Sequence, residues 1–239
     1  MVSPFLGKID WRCVRNSFYC FLNSKAASGL EGEAIYVKPT KLALHFIFAM
    51  GLLCYTFWFA LELLVPKEKI VSSPSIRKLS IGILAVLVLQ LVYGAFMAGH
   101  KAATAAATWP DINGHIIPPG MMGSNEGLLN LVDNKITIHF IHRGLAYLLL
   151  ILIILLTIRL YKVTGPSLIN KTKWWPLLLV IAQIILGIAS VLWSLKIIPN
   201  QWGLFEWMAQ LHQLVAMCLL LSLIWILYLV RNKTQQNSI

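Results

Sequence analysis

Residues 136–156, ITIHFIHRGLAYLLLILIILL, form an apolar run that contains two histidines and an arginine. A helix needs roughly 20 residues to cross the hydrocarbon core of a bilayer, and this run is long enough. Four further runs of similar length and hydropathy occur in the chain. The sequence therefore predicts an all-α, polytopic membrane helical bundle with five transmembrane helices. The predicted spans are 42–64, 79–99, 136–158, 175–195 and 207–230.

Composition and charge support a membrane protein and exclude a soluble one. Of the 239 residues, 58% are hydrophobic and 12% are charged, whereas soluble domains carry about 25% charged residues. The net charge of +11 does not indicate nucleic-acid binding, because the basic residues cluster in the short connections 65–78 and 159–173 and in the C-terminal tail. That asymmetry places these segments, including the C-terminus, on the cytoplasmic side. Membrane lipid is the partner that this composition implies.

The N-terminal region differs from the rest of the chain. Residues 1–41 have no apolar core of a signal peptide, and they are more basic than an outward-facing segment should be. The pattern L-H-x-x-x-A-M occurs at Leu44–Met50 and again at Leu211–Met217, which indicates a weak internal repeat. We therefore expect four regions, and a natural chain that begins further upstream. The four regions are an atypical segment, 1–41, which a frameshift would explain; the last helix of a truncated N-terminal bundle, 42–64; a C-terminal four-helix bundle, 79–230; and a cytoplasmic tail, 231–239.

Three histidines lie at a similar predicted depth. His45, His142 and His212 each follow the start of an apolar run by six residues, which is roughly 9 Å along a helix. Topology makes all three helices run from the outside to the inside, so the rings are expected near the outer face. An ionisable residue within a membrane span predicts a functional site, because burying it in hydrocarbon requires a partner.

Haem iron is the predicted partner of two of these rings. Neutral imidazoles of His142 and His212, on facing helices, can ligate haem iron axially, and His45 is a third candidate metal ligand. Hydrogen-bonded interior histidines and a proton relay remain alternatives. Zinc fits less well, because neither cysteine nor carboxylate is predicted at that depth.

Two neighbours of His142 are candidate cofactor-binding residues. His139 precedes His142 by one helical turn, and we expect it to contact the cofactor without ligating the metal. Arg143 carries a planar fork that suits the propionates of haem, although it could equally reach the outer headgroups. Gly94 and Gly99 form a small-residue surface that favours close helix packing or the approach of a flat macrocycle.

Together these motifs resemble a known family. GAFMAGHKAATAAATWPDINGHIIPP (residues 94–119), FIHRGLAY (residues 140–147) and LHQLVA (residues 211–216) are similar to haem A synthase, over about Ser28 to Val230. The resemblance implies eight spans in two four-helix bundles, with haem b between His142 and His212. It also implies that the other bundle binds the substrate haem O, and that His45 is one of that bundle's histidines.

The implied activity is the oxidation of a haem O methyl group to the formyl group of haem A, for cytochrome oxidase biogenesis. Haem O synthase is an expected partner, a homo-oligomer is possible, and the bacterial plasma membrane is the expected location. The family's first three spans have no counterpart here, so we expect a truncated or frameshifted chain whose own activity the sequence leaves open.

Two other classes of function remain as alternatives. A b-type cytochrome would use the same pair, His142 and His212, for electron transfer without catalysis. A transporter or structural protein would carry only packed histidines, but its predicted spans contain few carboxylates for ion coupling.

Overall fold

The computed structural model describes residues 38–121, 127–163, 167–197 and 201–231. Within these ranges the chain is helical and has no β-strand, although Ile112 and His115 form an isolated bridge. Five helices are long and apolar enough to cross a membrane. The α-helices are α1 (Pro39–Leu64), α2 (Pro74–Gly99), α3 (Asn130–Asp133), α4 (Lys135–Tyr161), α5 (Ser167–Thr172), α6 (Trp175–Trp193) and α7 (Leu204–Leu229). Short 3₁₀ helices cover Lys67–Lys69, Ala102–Ala105, Gly127–Leu129 and Ser194–Lys196.

The predicted fold class and five spans are confirmed, with small differences at the helix ends. Helices α1 and α2 begin three and five residues before the predicted spans, at Pro39 and Pro74. Proline is favourable in the first turn, because its missing N–H is one that the helix would leave unpaired. Helix α6 ends at Trp193, two residues before the predicted end, and the chain continues as a 3₁₀ turn.

Four of the long helices form a closed bundle. Helix α2 packs on α4, α4 on α6, α6 on α7, and α7 back on α2. The core inside this ring is aliphatic, which suits a protein whose helices associate through van der Waals packing rather than through the exclusion of water. Its fully buried members include Ile83, Leu87, Leu149, Ile153, Leu156, Leu219, Leu223 and Ile226.

Helix α1 lies against the outside of this bundle. It packs on α2 and α7, and only 6% of its most apolar 18-residue stretch is buried within the protein. At one end Pro39 lies beside Gly99, where an added Cβ would be 2.8 Å from the proline Cβ. At the other end Glu62 accepts hydrogen bonds from Arg231, just after α7. Helix α1 is therefore antiparallel to α2 and parallel to α7.

The connection between α2 and α4 folds over one end of the bundle. A 3₁₀ helix at Ala102–Ala105 follows α2, and the hydroxyl of Ser194 donates to the carbonyl of Ala103 at 3.0 Å. The side chain of Asn134 caps α4 by accepting from the N–H groups of Ile136 and Thr137. These contacts fix the start of α4, the helix that carries His142.

Neighbouring leucines on α4 test the assignment of core and outer surface. Leu156 is 0% exposed and Leu155 is 44% exposed. Leu156→Ala leaves a cavity between packed helices, and we expect it to lower the free energy of unfolding by about 2–5 kcal/mol. Leu155→Ala faces outward and should change it by less than about 0.5 kcal/mol. Thermal unfolding of both variants in detergent measures the difference; equal effects would contradict the bundle packing described here.

Candidate functional site

The structure brings the rings of His142 and His212 together inside the bundle. His142 lies on α4 and His212 on α7, and their ring centroids are 6.4 Å apart with an interplanar angle of 61°. The two helices are on different sides of the ring of four, so the imidazoles face each other across its interior. Two polar rings in an otherwise aliphatic interior form the candidate site.

The hydrogen bond of His212 identifies its tautomer. Nδ1 of His212 lies 2.9 Å from the main-chain carbonyl oxygen of Gln183 on α6. A carbonyl oxygen only accepts hydrogen bonds, so Nδ1 of the ring carries the proton. Nε2 of the neutral ring consequently carries the lone pair, which is the form of imidazole that binds metals.

His142 reaches the same tautomer through a different partner. The side-chain amide nitrogen of Gln90, on α2, lies 3.4 Å from Nε2 of His142. An amide nitrogen only donates, so Nε2 of the neutral ring is the acceptor and Nδ1 carries the proton. That Nδ1 is buried and has no hydrogen-bond partner in the described part of the chain. The contact at Nε2 is long for a hydrogen bond and is therefore easily displaced.

Other polar atoms near this level are also buried without a partner. They are the side-chain oxygens of Gln90 and Gln183 and both ring nitrogens of His139, within the ranges that the structure describes. His139 is 1% exposed and lies one turn before His142, as its sequence position requires. Buried polar groups normally find partners, so this cluster has unused capacity for a polar or metal-containing ligand. The predicted contact of His139 with a cofactor stays a prediction.

Arg143 holds the outer connection. Its guanidinium donates to the main-chain carbonyls of Thr108 at 2.6 Å and Asp111 at 2.7 Å, with longer contacts to those of Ala106 and Pro110. Contact of this fork with haem propionates stays a prediction; in the structure the donors point at the loop. Only the turn motif of residues 108–114 indicates in the sequence that a folded loop is present here.

The loop that Arg143 binds is internally ordered. The N–H of Asn113 donates to the Thr108 hydroxyl at 2.8 Å, and the N–H of Gly114 donates to the Asp111 carboxylate at 2.8 Å. The Gly114 hydrogen bond is the main cause that lowers the pKa of Asp111 below its ordinary value. The positive charge of Arg143 lowers the pKa of Asp111 further, as a smaller cause.

The remaining histidines lie elsewhere. His45, on α1, has an exposed side chain, and the described contacts do not join it to His142 or His212. Its assignment as a metal ligand stays a prediction. His115 is exposed on the outer loop. His100, at the end of α2, packs its ring on Phe96, and its Nε2 lies 3.8 Å from the Asp133 carboxylate.

The donor set limits which metal groups the site can take. No group of three or more His, Cys, Asp or Glu residues suited to a metal ion occurs in the part of the chain that the structure describes. A bare zinc ion is held by at least three protein ligands, so two imidazoles do not suffice. Two are enough for an iron whose other ligands come from a macrocycle.

Comparison with known proteins identifies the family. The family model of the cytochrome oxidase assembly protein COX15-CtaA matches residues 25–224, which is most of the chain. The chain belongs to this family. A haem A synthase of Wolbachia pipientis wMel is 31% identical over 209 residues, covering 87% of this chain and 55% of that protein.

Other members of the cytochrome oxidase assembly family show a similar relationship. A haem A synthase of Flavobacterium psychrophilum is 31% identical over 230 residues, which cover 95% of this chain and 61% of that protein. A haem A synthase from the Wolbachia of Brugia malayi is 36% identical over 174 residues, 71% of this chain and 49% of that protein. The chain thus spans about half the length of the curated relatives it matches. No solved structure matches the chain.

The loop contacts of Arg143 give a prediction for this family member. Arg143→Lys replaces a fork that reaches two carbonyls with a single ammonium group. Because a hydrogen bond to a charged group contributes roughly 1.5–3 kcal/mol, we expect amide hydrogen exchange in residues 106–114 to accelerate by about tenfold or more. Arg159→Lys is the matched control, since Arg159 is exposed and its side-chain hydrogen bond in the described part of the chain goes to the Ser75 hydroxyl. Equal exchange in the two variants would contradict a clamping role for Arg143.

Proposed function

We propose that the bundle of α2, α4, α6 and α7 binds a b-type haem between His142 and His212. The observation that carries this proposal is the pair of facing imidazoles, 6.4 Å apart between centroids. Two metal–nitrogen bonds of about 2 Å, together with the radii of two rings, separate axial imidazoles by roughly 6 Å between centroids. The spacing in the bundle therefore agrees with an iron between the two rings.

The chemical state of the rings also supports haem binding. Both have the proton on Nδ1 and the lone pair on Nε2, according to their partners Gln183 and Gln90. His142 Nδ1 and the two glutamine oxygens are buried without partners, so the site as described has polar groups left to satisfy. A haem bound by two histidines supplies a carrier that accepts and releases single electrons.

The residues of the chain hold and shield this carrier. His142 and His212 hold the iron, and the hydrogen bond to the Gln183 carbonyl keeps His212 oriented. Buried aliphatic side chains such as Leu149 and Leu219 exclude water from the interior below the rings. Arg143 ties the outer connection to α4 beside His142, which covers the outer end of the bundle.

We further propose that the protein acts as a haem A synthase. The relatives named above carry that name, and the family matches most of the chain. The reaction converts a methyl group of haem O and one water molecule into the formyl group of haem A, four protons and four electrons. A haem held by His142 and His212 would pass these electrons one at a time to an external electron acceptor, and His45 belongs to the region that binds haem O. Haem O synthase then acts immediately upstream, since its product is the substrate.

The proposed location is the bacterial plasma membrane, with the C-terminus in the cytoplasm. The basic residues that support this orientation lie in the connections 65–78 and 159–173, at the same end as Arg231. The connection that Arg143 holds lies at the opposite end and faces outward. A b-type cytochrome without catalysis is the second candidate, and it shares the haem site but not the reaction.

Absorbance spectra of the detergent-purified chain, reduced minus oxidised, test the haem site. We expect a b-type difference spectrum that falls to less than about a tenth in His142→Ala and in His212→Ala, because each removes one of two axial ligands. His115→Ala is the matched control, since that histidine is exposed on the outer loop. A spectrum that survives in either ligand variant would contradict the pair as ligands.

Conversion of haem O to haem A separates the two candidates. Membranes that contain the protein, supplied with haem O, should form haem A, and His45→Ala should abolish the product while leaving the b-type spectrum intact. A normal b-type spectrum without any haem A in the parent protein would favour the cytochrome.

A further inference from the structure

The haem-binding bundle consists of two similar helix pairs. Helix α4 and helix α7 share the pattern H-x-x-[LV]-A, at His142–Ala146 and His212–Ala216, with each position separated from its counterpart by 70 residues. The same separation relates buried positions further along the two helices. These pairs, each 2% exposed or less, are Leu149 with Leu219, Ile153 with Leu223, and Leu156 with Ile226.

The preceding helices of the two pairs share a second pattern. Helix α2 carries Q-x-x-x-G at Gln90–Gly94, and α6 carries it at Gln183–Gly187. In both pairs the glutamine of this pattern contacts the histidine of the following long helix. The side-chain amide of Gln90 donates to Nε2 of His142, and the main-chain carbonyl of Gln183 accepts from Nδ1 of His212. The two halves therefore use the same pattern, although different atoms of the glutamine make the contact.

The glycines contact equivalent atoms of the two rings. A Cβ added to Gly187 would lie 3.0 Å from Cε1 and 3.4 Å from Nδ1 of His212. A Cβ added to Gly94 would lie 3.4 Å from Cε1 and 4.0 Å from Nδ1 of His142. The nearest atom and the second nearest are the same in both halves. Each ring thus presents its Cε1–Nδ1 edge to a glycine, and the contact is tighter in the half that contains His212.

Helix geometry explains why a glycine stands at this position. In an α-helix the carbonyl of one residue points toward the N–H of the residue four positions later, whose side chain flanks that oxygen. A glycine there leaves the oxygen open to a second donor from a neighbouring helix. At Gly187 that oxygen belongs to Gln183, and it accepts the proton of His212 Nδ1. At Gly94 the equivalent oxygen belongs to Gln90, and in the described part of the chain Nδ1 of His142 does not hydrogen-bond to it.

We propose that Gly94 and Gly187 are positioning residues for the two haem ligands. Gly187 exposes the carbonyl of Gln183, which holds His212 with its proton on Nδ1 and its lone pair on Nε2. Gly94 leaves the space that the Cε1–Nδ1 edge of His142 occupies. The amide of Gln90 at His142 Nε2 occupies the position that the iron takes, and ligation displaces it. This inference rests on the proposed haem site.

Glycine-to-alanine substitutions test the inference with closely matched controls. Gly187→Ala and Gly94→Ala place a methyl group against a ring, while Gly82→Ala and Gly144→Ala place the same group where nothing lies within 4 Å. Alanine favours helix more than glycine does, so the controls are expected to fold at least as well as the parent. The measured quantities are the amount of haem per chain and the midpoint potential of the bound haem.

We expect a graded result. Gly187→Ala should weaken haem binding by about tenfold or more, a typical effect of losing a partner that orients a metal ligand. Gly94→Ala should retain haem but shift its midpoint potential, because the added methyl group would lie 3.4 Å from Cε1 of His142 and turn the ring that ligates the iron. Gly82→Ala and Gly144→Ala should match the parent in both measurements.

The outcomes distinguish this inference from the proposal on which it rests. A parent chain without haem would overturn the haem site itself. A parent chain with haem, together with Gly187→Ala and Gly94→Ala variants indistinguishable from Gly82→Ala, would overturn only the positioning role. If Gly187→Ala does not fold, the midpoint potential of Gly94→Ala decides: an unchanged value overturns the inference.

Discussion

The structure depends on two facing, partly buried imidazoles inside a mostly aliphatic membrane bundle. Polar groups at this depth cannot rely on water, so each ring must find its partners within the protein or a ligand. His212 uses a main-chain carbonyl of α6, and His142 uses a side-chain amide of α2. Because each partner lies on the helix that precedes the histidine in its own pair, the requirement for hydrogen bonding also fixes how the helices pack.

Much of this arrangement follows from the sequence. The long apolar runs predicted the five spans to within five residues at each end, and the largest difference is at Pro74, where α2 begins five residues before the predicted span. Charge asymmetry and helix rise predicted that His142 and His212 lie at a similar depth, because both quantities act along the whole span. Neither requires knowledge of side-chain contacts.

Other features depended on tertiary structure and could not be predicted. The fork of Arg143 suits an anionic ligand, and the loop carbonyls offer acceptors to the same fork once the connection folds back, which the sequence does not show. The exposure of His45 depends on which face of α1 meets the bundle, and the weak amphipathicity of an apolar helix does not determine that face. The role of Gly187 emerges only when His212 is placed opposite it.

The two helix pairs also explain how one bundle can combine stability with a ligand site. Below the rings, equivalent aliphatic residues of α4 and α7 are buried. At the level of the rings, glycines allow the helix backbone to approach the imidazoles closely. Large and small residues thus occupy different levels along the bundle axis. The loop held by Arg143 then closes the outer end, where the rings would otherwise meet the interface.

The most direct test of this account is near-infrared magnetic circular dichroism of the oxidised, haem-loaded chain, because the charge-transfer band of low-spin ferric haem reports the identity of both axial ligands. The account predicts the band of two neutral imidazoles. A band of one imidazole with another ligand, or a high-spin spectrum, would show that His142 and His212 do not share the iron.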